Sequence, residues 1–400
     1  MIAFALIGVG DGKVGDGFVE GVALAQVPAD FRWLAGTGVC AGQAPAAECR
    51  VLLHHTLGED LHHHLDFHLL ELADIEVPSL AAFCPAEEEI ARRLHKLAAD
   101  HHALAVVRVS TFAREGFKIV FTTSFGFMDQ TLDAAKKYPN VIFAHASGFK
   151  RAPNMATYMA DFYQLYYLNG MMAAAVSKSD KLGYVGAFPV PELKRHISAF
   201  AMGARAVNPK ATVSVKWINA WFDPNKAREA AEALISEGAG ALAFTEDTAS
   251  VVQTAAARKI PSFAHYSPMY KFAPDYVVSG QLVHWDKIYI DFLTKVRTGT
   301  YTNKNLQTVD YWNLLRGGSV ELGAQDGMAI NPKWVPALKA RTITVAGKKT
   351  SVYDRVMALK ADMEKGGKFD PFVGPLKDRN GILRVPAGKV ASIADLNNMS

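Results

Sequence analysis

The residues of this 400-residue chain that could recognise a small molecule sit in short segments, each following an apolar run. Thr122-Thr123-Ser124-Phe125-Gly126-Phe127-Met128-Asp129 follows Phe117-Lys118-Ile119-Val120-Phe121, and His145-Ala146-Ser147-Gly148-Phe149-Lys150-Arg151 follows Val141-Ile142-Phe143-Ala144. Further along come Phe188-Pro189-Val190-Pro191, Asn219-Ala220-Trp221-Phe222-Asp223-Pro224, Thr245-Glu246-Asp247-Thr248 and His265-Tyr266-Ser267-Pro268. Flat aromatics mixed with small hydroxyls and carboxylates suit a planar, hydrogen-bonding ligand such as a purine. Stacking on an aromatic ring contributes about 1–3 kcal/mol per base, and a charge-assisted hydrogen bond about 1.5–3 kcal/mol. Taken singly, each residue has a plainer use: a lone aromatic packs in a core, and Asp129, Asp223 and Asp247 all fit helix caps.

Enzyme signatures are missing. There is no G-x-S-x-G elbow, no Walker loop and no H-E-x-x-H. Residues 111–400 hold four histidines (His145, His196, His265, His284) and no cysteine, so spacing assembles no nucleophile, base and acid. Recognition groups without a nucleophile point to a binding protein and not an enzyme. The rival reading is a nucleoside or sugar hydrolase using Asp129 and Asp247.

The elements that must position these segments alternate. Strands are expected at 117–121, 141–144, 182–188, 213–218, 241–244 and 261–264. Helices are expected at 129–137, 156–176, 192–207, 225–236 and 251–258. Tyr138-Pro139-Asn140 ends the first helix because the residue before proline avoids the helical region. The run from Ala156 to Val176 carries one charge, Asp161, and reads as a buried core helix; Gln164, Asn169 and Gly170 argue against lipid. Strand–helix alternation with short connections predicts parallel sheets with right-handed crossovers and helices on both faces. Continuous apolar strands fit that burial, and ligands in such sheets sit outside the carboxyl ends of the strands.

Composition divides the chain near residue 110. Residues 1–110 contain no Tyr and no Asn, hold all three cysteines (Cys40, Cys49, Cys84) and nine of 13 histidines, and carry seven Lys/Arg against 15 Asp/Glu. Residues 111–400 carry 36 against 24. The break implies either a joined domain of different origin or a first segment that is not the natural start of the gene product, as an out-of-frame reading would produce. Ile2 to Val9 fits a strand; Gly10-Asp11-Gly12-Lys13-Val14-Gly15 has G-x-G-x-x-G spacing but reads as a turn, since Pro28 arrives before a βαβ unit is complete. No basic residue precedes the short apolar stretch, so it does not read as a secretory signal. His54, His55, His62, His63, His64 and His68 crowd together with Asp60 and Asp66, and His64 and His68 share the spacing of a zinc pair. No second pair completes it, so no metal site is assigned; a metal-buffering role is the alternative for this segment. Glu87-Glu88-Glu89 reads as a helix start. Three cysteines are too few for a disulfide framework. A net charge of +4 without a basic block excludes nucleic acid as the default partner, and no apolar run reaches membrane-span length.

From about Phe112 onward the chain resembles the basic membrane protein (BMP) family of substrate-binding proteins for ABC transporters. The motifs are FTTSFGFMD (121–129), FAHASGFKRAPNMATY (143–158), LGYVGAFPVPE (182–192), FAMGARAVNPKA (200–211), WINAWFDP (217–224), KFAP (271–274), DGMAINP (326–332) and FDPFVGPLKDRNG (369–381). The resemblance implies an α/β, two-lobed type I periplasmic-binding-protein fold with doubly wound parallel sheets, in a lipoprotein-like, exported protein. It further implies a purine nucleoside or nucleobase held in the cleft between the lobes and delivered to an inner-membrane ABC permease, by a monomer, without chemistry or cofactor. Carried over by position, Trp221 is the stacking residue, followed by Phe127 and Phe188. Asp247 with Thr248, and Asp129, are the polar groups that read the ligand, while Ser267 and Trp285 lie near where the chain recrosses between lobes.

Lobe one is expected from 111–177 and 284–302, incomplete because Phe4 to Phe18 only faintly echoes the family's first strand and loop. Lobe two is expected from 178–283 and 303–400. Pro268 stands where relatives tend to carry Asp, and the chain ends at Asn397-Asn398-Met399-Ser400 where relatives run on. The missing export signal leaves a cytoplasmic ligand-sensing regulator as a further alternative to the periplasmic reading.

Overall fold

The computed structural model describes residues 2–5, 109–123, 125–378 and 380–399. The glycine turn at 10–15, the histidine cluster at 54–68 and the helix start at Glu87 lie outside the described residues. Two compact units divide the chain: Met1–Met159 with Tyr289–Tyr311, and Ala160–Ile288 with Trp312–Ser400. The chain therefore passes between units after residues 159, 288 and 311, whereas the sequence reading puts these passages after 177, 283 and 302.

The first unit is built on a sheet of β1 (Ile2–Ala5), β2 (Ile119–Thr122), β3 (Ile142–Ala146) and β4 (Met155–Ala160), all parallel. A short strand at Asp310–Asn313 flanks β4. The first segment thus does supply a strand, Ile2–Ala5, paired in register with Ile119–Thr122. Strand alternation sorts side chains to two faces. Val120, Phe143 and Met155 pack with Phe112 and Ala134 of the flanking helices, and with Phe117 just before β2, on one face. On the other, Phe121 meets Tyr158, Tyr289 and Phe292 edge-on at 5.1–5.8 Å between ring centres, the geometry that aromatic quadrupoles favour. Helix α1 (Met128–Lys137) carries Asp129 in its first turn and Lys136 and Lys137 in its last, both favourable to the helix dipole.

One expectation fails in this region. Residues 156–176 are not a single helix, because Met155–Ala160 is strand β4 and the helix, α2, begins at Tyr163 (Tyr163–Val176). An apolar run buried on all sides carries no period that separates strand from helix. Asp161 makes the break: its carboxylate accepts the Tyr163 backbone N–H at 3.2 Å, and its own N–H is taken by the Asn313 carbonyl at 2.9 Å. Helix α2 falls in the second unit.

The second unit's sheet comprises β5 (Lys181–Gly186), β6 (Thr212–Trp217), β7 (Leu242–Thr245), β8 (Ser262–Ala264) and β9 (Val277–Val283), all parallel. The edge strand Val320–Leu322 runs antiparallel to β9. Its order is Val320–Leu322, β9, β8, β7, β5, β6. Helices α4 (Pro224–Ser236) and α5 (Ser250–Ala257) bury Ala227, Ala231, Leu234, Val251 and Val252 against Val185, Leu242 and Phe244 on one face. Helices α2 and α3 (Pro191–Val207) lie together, with α2 against β8 and β9.

Two glycines set how closely α2 and α3 approach. A Cβ on Gly170 would stand 2.0 Å from the Phe200 carbonyl oxygen, and one on Gly203 would stand 1.9 Å from that of Tyr167. The obstacle at each is backbone, which cannot swing aside as a side chain would. Alanine normally gains about 1 kcal/mol over glycine inside a helix, but forcing these helices apart costs about 1–3 kcal/mol or more. Gly203→Ala is therefore expected to lower the thermal midpoint by several degrees despite the better propensity. A midpoint equal to or above wild type would contradict the close approach.

Candidate ligand-binding site

In the second unit the chain steps from β5 outward to β6, then crosses back to β7 and continues to β8 and β9 on the other side. The loops after β5 and β7 consequently leave in opposite directions. That is the switch point at which an open parallel sheet presents a crevice beyond its strand ends.

Four loops meet there. Phe188 follows β5, and its half-buried ring lies 5.4 Å from that of Trp221 at 57°. Trp221 follows β6 after a sharp turn at Asn219, whose φ of +53° is one that Asn tolerates better than most residues. The Trp221 carbonyl accepts the Asp247 backbone N–H at 2.8 Å, which ties the loops after β6 and β7 together. Asp223 caps α4 by accepting the Lys226 N–H at 2.9 Å, so its carboxylate is committed to the helix.

The adjacent carboxylates Glu246 and Asp247 have divergent roles. Glu246 is buried and accepts both the Thr248 backbone N–H at 2.9 Å and the Thr248 hydroxyl at 3.1 Å. Burial raises its pKa well above the ordinary carboxylate range, against the lowering effect of those two bonds. The Thr248 oxygen in turn accepts the Ser250 N–H at the start of α5. Thr248 is thus spent inside the turn, and it rather than Asp247 serves the following helix. Asp247 projects to solvent. The protein around it and the nearby Glu192 carboxylate push its pKa up to about 7; because the group reaches water, the loss of hydration is partial.

The loop after β8 brings a second aromatic group. Tyr266 adopts φ +70°, its hydroxyl accepts the Trp285 indole N–H at 2.7 Å, and Ser267 donates its backbone N–H to the His265 carbonyl at 2.8 Å. His265 is buried, which lowers its pKa to about 3 with help from His196, so it stays neutral near pH 7. Tyr166 from α2 bridges it to the end of β7, its hydroxyl lying 2.9 Å from His265 Nδ1 and 2.8 Å from the Thr245 hydroxyl.

Beneath these loops lies a fully buried ion cluster. Asp161 accepts from Arg195 Nε at 2.7 Å and lies 2.9 Å from His196 Nε2, while the Arg195 guanidinium stands 4.8 Å from the Trp312 ring centre. Burial alone would raise the Asp161 pKa, but Arg195 and His196 outweigh it and hold the carboxyl below its ordinary value.

The first unit treats its two expected residues differently. Phe127 is the residue flanking the start of α1 and packs on that unit's apolar core. Asp129 is exposed and paired with Lys150 at 2.5 Å. The residues brought together within one unit are therefore Phe188, Trp221, Asp247 and Thr248, with Ser267 on the neighbouring loop and Trp285, at the start of the helix after β9, bonded to that loop through Tyr266. Sequence reasoning passed over Glu246, Tyr266 and Glu192. Two adjacent acids at a strand end were the available signal for the first; the other two had none.

The architecture is that of α/β solute-binding proteins. A solved structure from Aeropyrum pernix K1, described as ABC transporter system solute-binding proteins, superposes with a TM-score of 0.53 at 17% identity, covering 70% of this chain and 83% of that one. The chain belongs to the Bmp family, ABC transporter substrate-binding protein PnrA-like, which matches residues 89–326. Among its relatives, the purine-binding protein BAB2_0673 of Brucella abortus is 37% identical over 73% of this chain and 76% of its own length. The putative ABC transporter glucose-binding protein TsgA13 of Haloferax volcanii is 31% identical over 65% of this chain and 62% of its own length. Among the described residues, no helix is long and apolar enough to cross a membrane.

The ion cluster yields a stability test. Removing one partner of a buried pair costs about 3–5 kcal/mol because the other charge is stranded, so Asp161→Asn is expected to destabilise the protein by that order at pH 7. A carboxyl with a lowered folded pKa gives stability that is present above its unfolded value of 3.8 and lost as the pH falls through the folded one. The gap between wild type and variant in denaturant melts should therefore narrow below about pH 4. A gap independent of pH would mean that the carboxylate charge does not matter.

Proposed function

We propose that this protein is the solute-binding component of an ABC importer, working on the periplasmic side of the membrane as a monomer. Its ligand is a purine nucleoside or nucleobase, taken up without chemistry and passed to a membrane permease. The observation that carries this reading is the convergence of Phe188, Trp221 and a solvent-facing Asp247 at the switch point of the second unit's sheet. Trp221 and Phe188 stack on the heterocycle, and the Asp247 carboxylate accepts its N–H or O–H groups. Glu246 and Thr248 hold the Asp247 loop in place. Ser267, on the loop after β8, and Trp285, at the start of the helix that follows β9, border the ligand within the same unit. The purine-binding relative supports the ligand class. A ring platform beside a carboxylate also suits a hexose, and the putative glucose-binding relative favours that second reading.

Calorimetric titration with adenine, adenosine, guanosine, inosine and glucose separates the two. Heat with one or more purines and none with glucose is expected. Heat with glucose alone transfers the site to sugars, and no heat from any purine with folded protein ends the purine claim. Nucleosides incubated with the protein should be recovered without free base; its release would favour the hydrolase reading.

Loss of one stacking surface worth about 1–3 kcal/mol means that Trp221→Ala should weaken binding about 5- to 150-fold. Phe200→Ala, which truncates a ring buried in the core, should do less at equal folded fraction. Equal or reversed losses would remove Trp221 from the site.

Because Asp247 accepts hydrogen bonds as a carboxylate, affinity should fall as the pH drops through about 7. In Asp247→Asn that slope should vanish and binding be weak at every pH. A slope preserved in the variant assigns the titration to another group.

A further inference from the structure

Where β9 ends and meets the edge strand Val320–Leu322, the second unit holds a compact set of metal-ligating groups that the binding reading does not use. We propose that His284, Glu321 and Asp326 form a binding site for a first-row divalent cation of the Mn2+ or Zn2+ type.

One ligand atom from each of the three lies within 4.8 Å of the others. His284 Nε2 and the Glu321 carboxylate are already 2.9 Å apart, close to the separation that two ligands keep around a cation bound at about 2.0–2.2 Å. Asp326, the most exposed of the three, needs only a small swing to complete the set.

The backbone fixes this meeting. Glu321 is the middle residue of the edge strand Val320–Leu322, and Val320 pairs with Val283, directly before His284. The His284 backbone N–H is held by the Ser319 carbonyl at 2.8 Å, so the imidazole and the carboxylate leave adjoining ends of one ladder. Asp326 stands in the loop that follows. That loop is anchored at Ala324, which is buried and whose carbonyl accepts the N–H groups of both Met269 and Tyr270 at 2.9 Å. Its return depends on Gly323, at φ +154°, where a Cβ would stand 2.6 Å from the Met328 carbonyl oxygen. The Gly327 N–H takes one Glu321 oxygen at 2.9 Å and leaves the other facing His284.

Charge separates a cation site from an ordinary ion pair. An imidazole and one carboxylate make a pair; here a second carboxylate is held beside them. Among the described residues no lysine or arginine pairs with Glu321 or Asp326. Two anions and one nitrogen donor without a basic side chain match the ligand preferences of Mn2+ and Zn2+. A bound cation would join His284, just before the chain leaves this unit after residue 288, to Glu321, just after it returns at residue 312. The site therefore clasps the outgoing and incoming strands at one edge of the sheet. It stands or falls separately from the ligand reading.

The histidines of residues 54–68 are a competing sink for zinc, so Mn2+, which prefers oxygen-rich sets, is the better probe. Mn2+ titrated into the full chain and followed by electron paramagnetic resonance should show one equivalent bound by wild type. That equivalent should weaken at least tenfold in Asp326→Asn, an exposed substitution that spares the fold, and be lost in Glu321→Gln. The thermal midpoint of wild type, but not of either variant, should rise with Mn2+. No bound equivalent in wild type, or one unchanged in both variants, overturns the assignment; the second outcome places the cation elsewhere in the chain.

Discussion

The second unit depends on burying a parallel sheet on both faces. Apart from Lys181 at the start of β5, strands β5, β7 and β8 are buried along their length, so their backbone groups are paired within the ladder and their side chains are largely apolar. Polar recognition groups can then emerge only where the ladder stops. Tyr184, Phe244 and Phe263 are fully buried within the strands, while Phe188, Asp247 and Ser267 appear within a few residues of the strand ends. The chemistry lies at the sheet's carboxyl edge because the sheet allows it no other place. The switch between β5 and β7 decides which part of that edge is open.

Loops at an open edge lose definition unless something holds them, and here backbone and buried polar groups do so. The Asp247 N–H to Trp221 carbonyl bond spans two loops. Glu246 ties Thr248 down through its backbone and its hydroxyl, and Tyr166 braces the end of β7 against His265. Each of these groups is satisfied internally and therefore unavailable to a ligand. Asp247 differs from its neighbour Glu246 by one position in the chain, yet one carboxylate is structural and the other faces solvent.

Most of the second unit was legible from the sequence because its strands and helices differ in length, composition and punctuation. Pro191, Pro224 and the Asp223 cap mark helix starts that a reader can see. The run from Met155 to Val176 was not legible. All-round burial erases periodicity, and the break rests on Asp161, whose role as partner of Arg195 and His196 depends on residues more than thirty positions away. The same limit applied to the site. Position and type single out Trp221, Asp247 and Thr248 alike as candidates, and only the bonds of Thr248 to Glu246 and Ser250 show its hydroxyl engaged within the turn. Phe127, a strand-end aromatic by pattern, packs on the first unit's core as well. Asp129 is half of an exposed ion pair whose other member, Lys150, comes from the next loop.

Partner satisfaction is therefore the criterion that ranks the candidate residues. Thr248 and Glu246 satisfy each other, and Asp223 caps a helix. Their replacement would disturb loop geometry before it touched any ligand. The Asp129–Lys150 pair is solvent-exposed, and such pairs contribute about 0–1 kcal/mol, so a ligand could displace Lys150 at small cost. Among the described residues the Asp247 carboxylate has no partner, its ionisation is already resisted by the protein around it and by Glu192, and it faces solvent on a loop bonded to that of Trp221. A ligand N–H that hydrogen-bonds to it would relieve that resistance by favouring the charged form. Of all the carboxylates at this edge, Asp247 gains most from a donor that the protein does not itself provide.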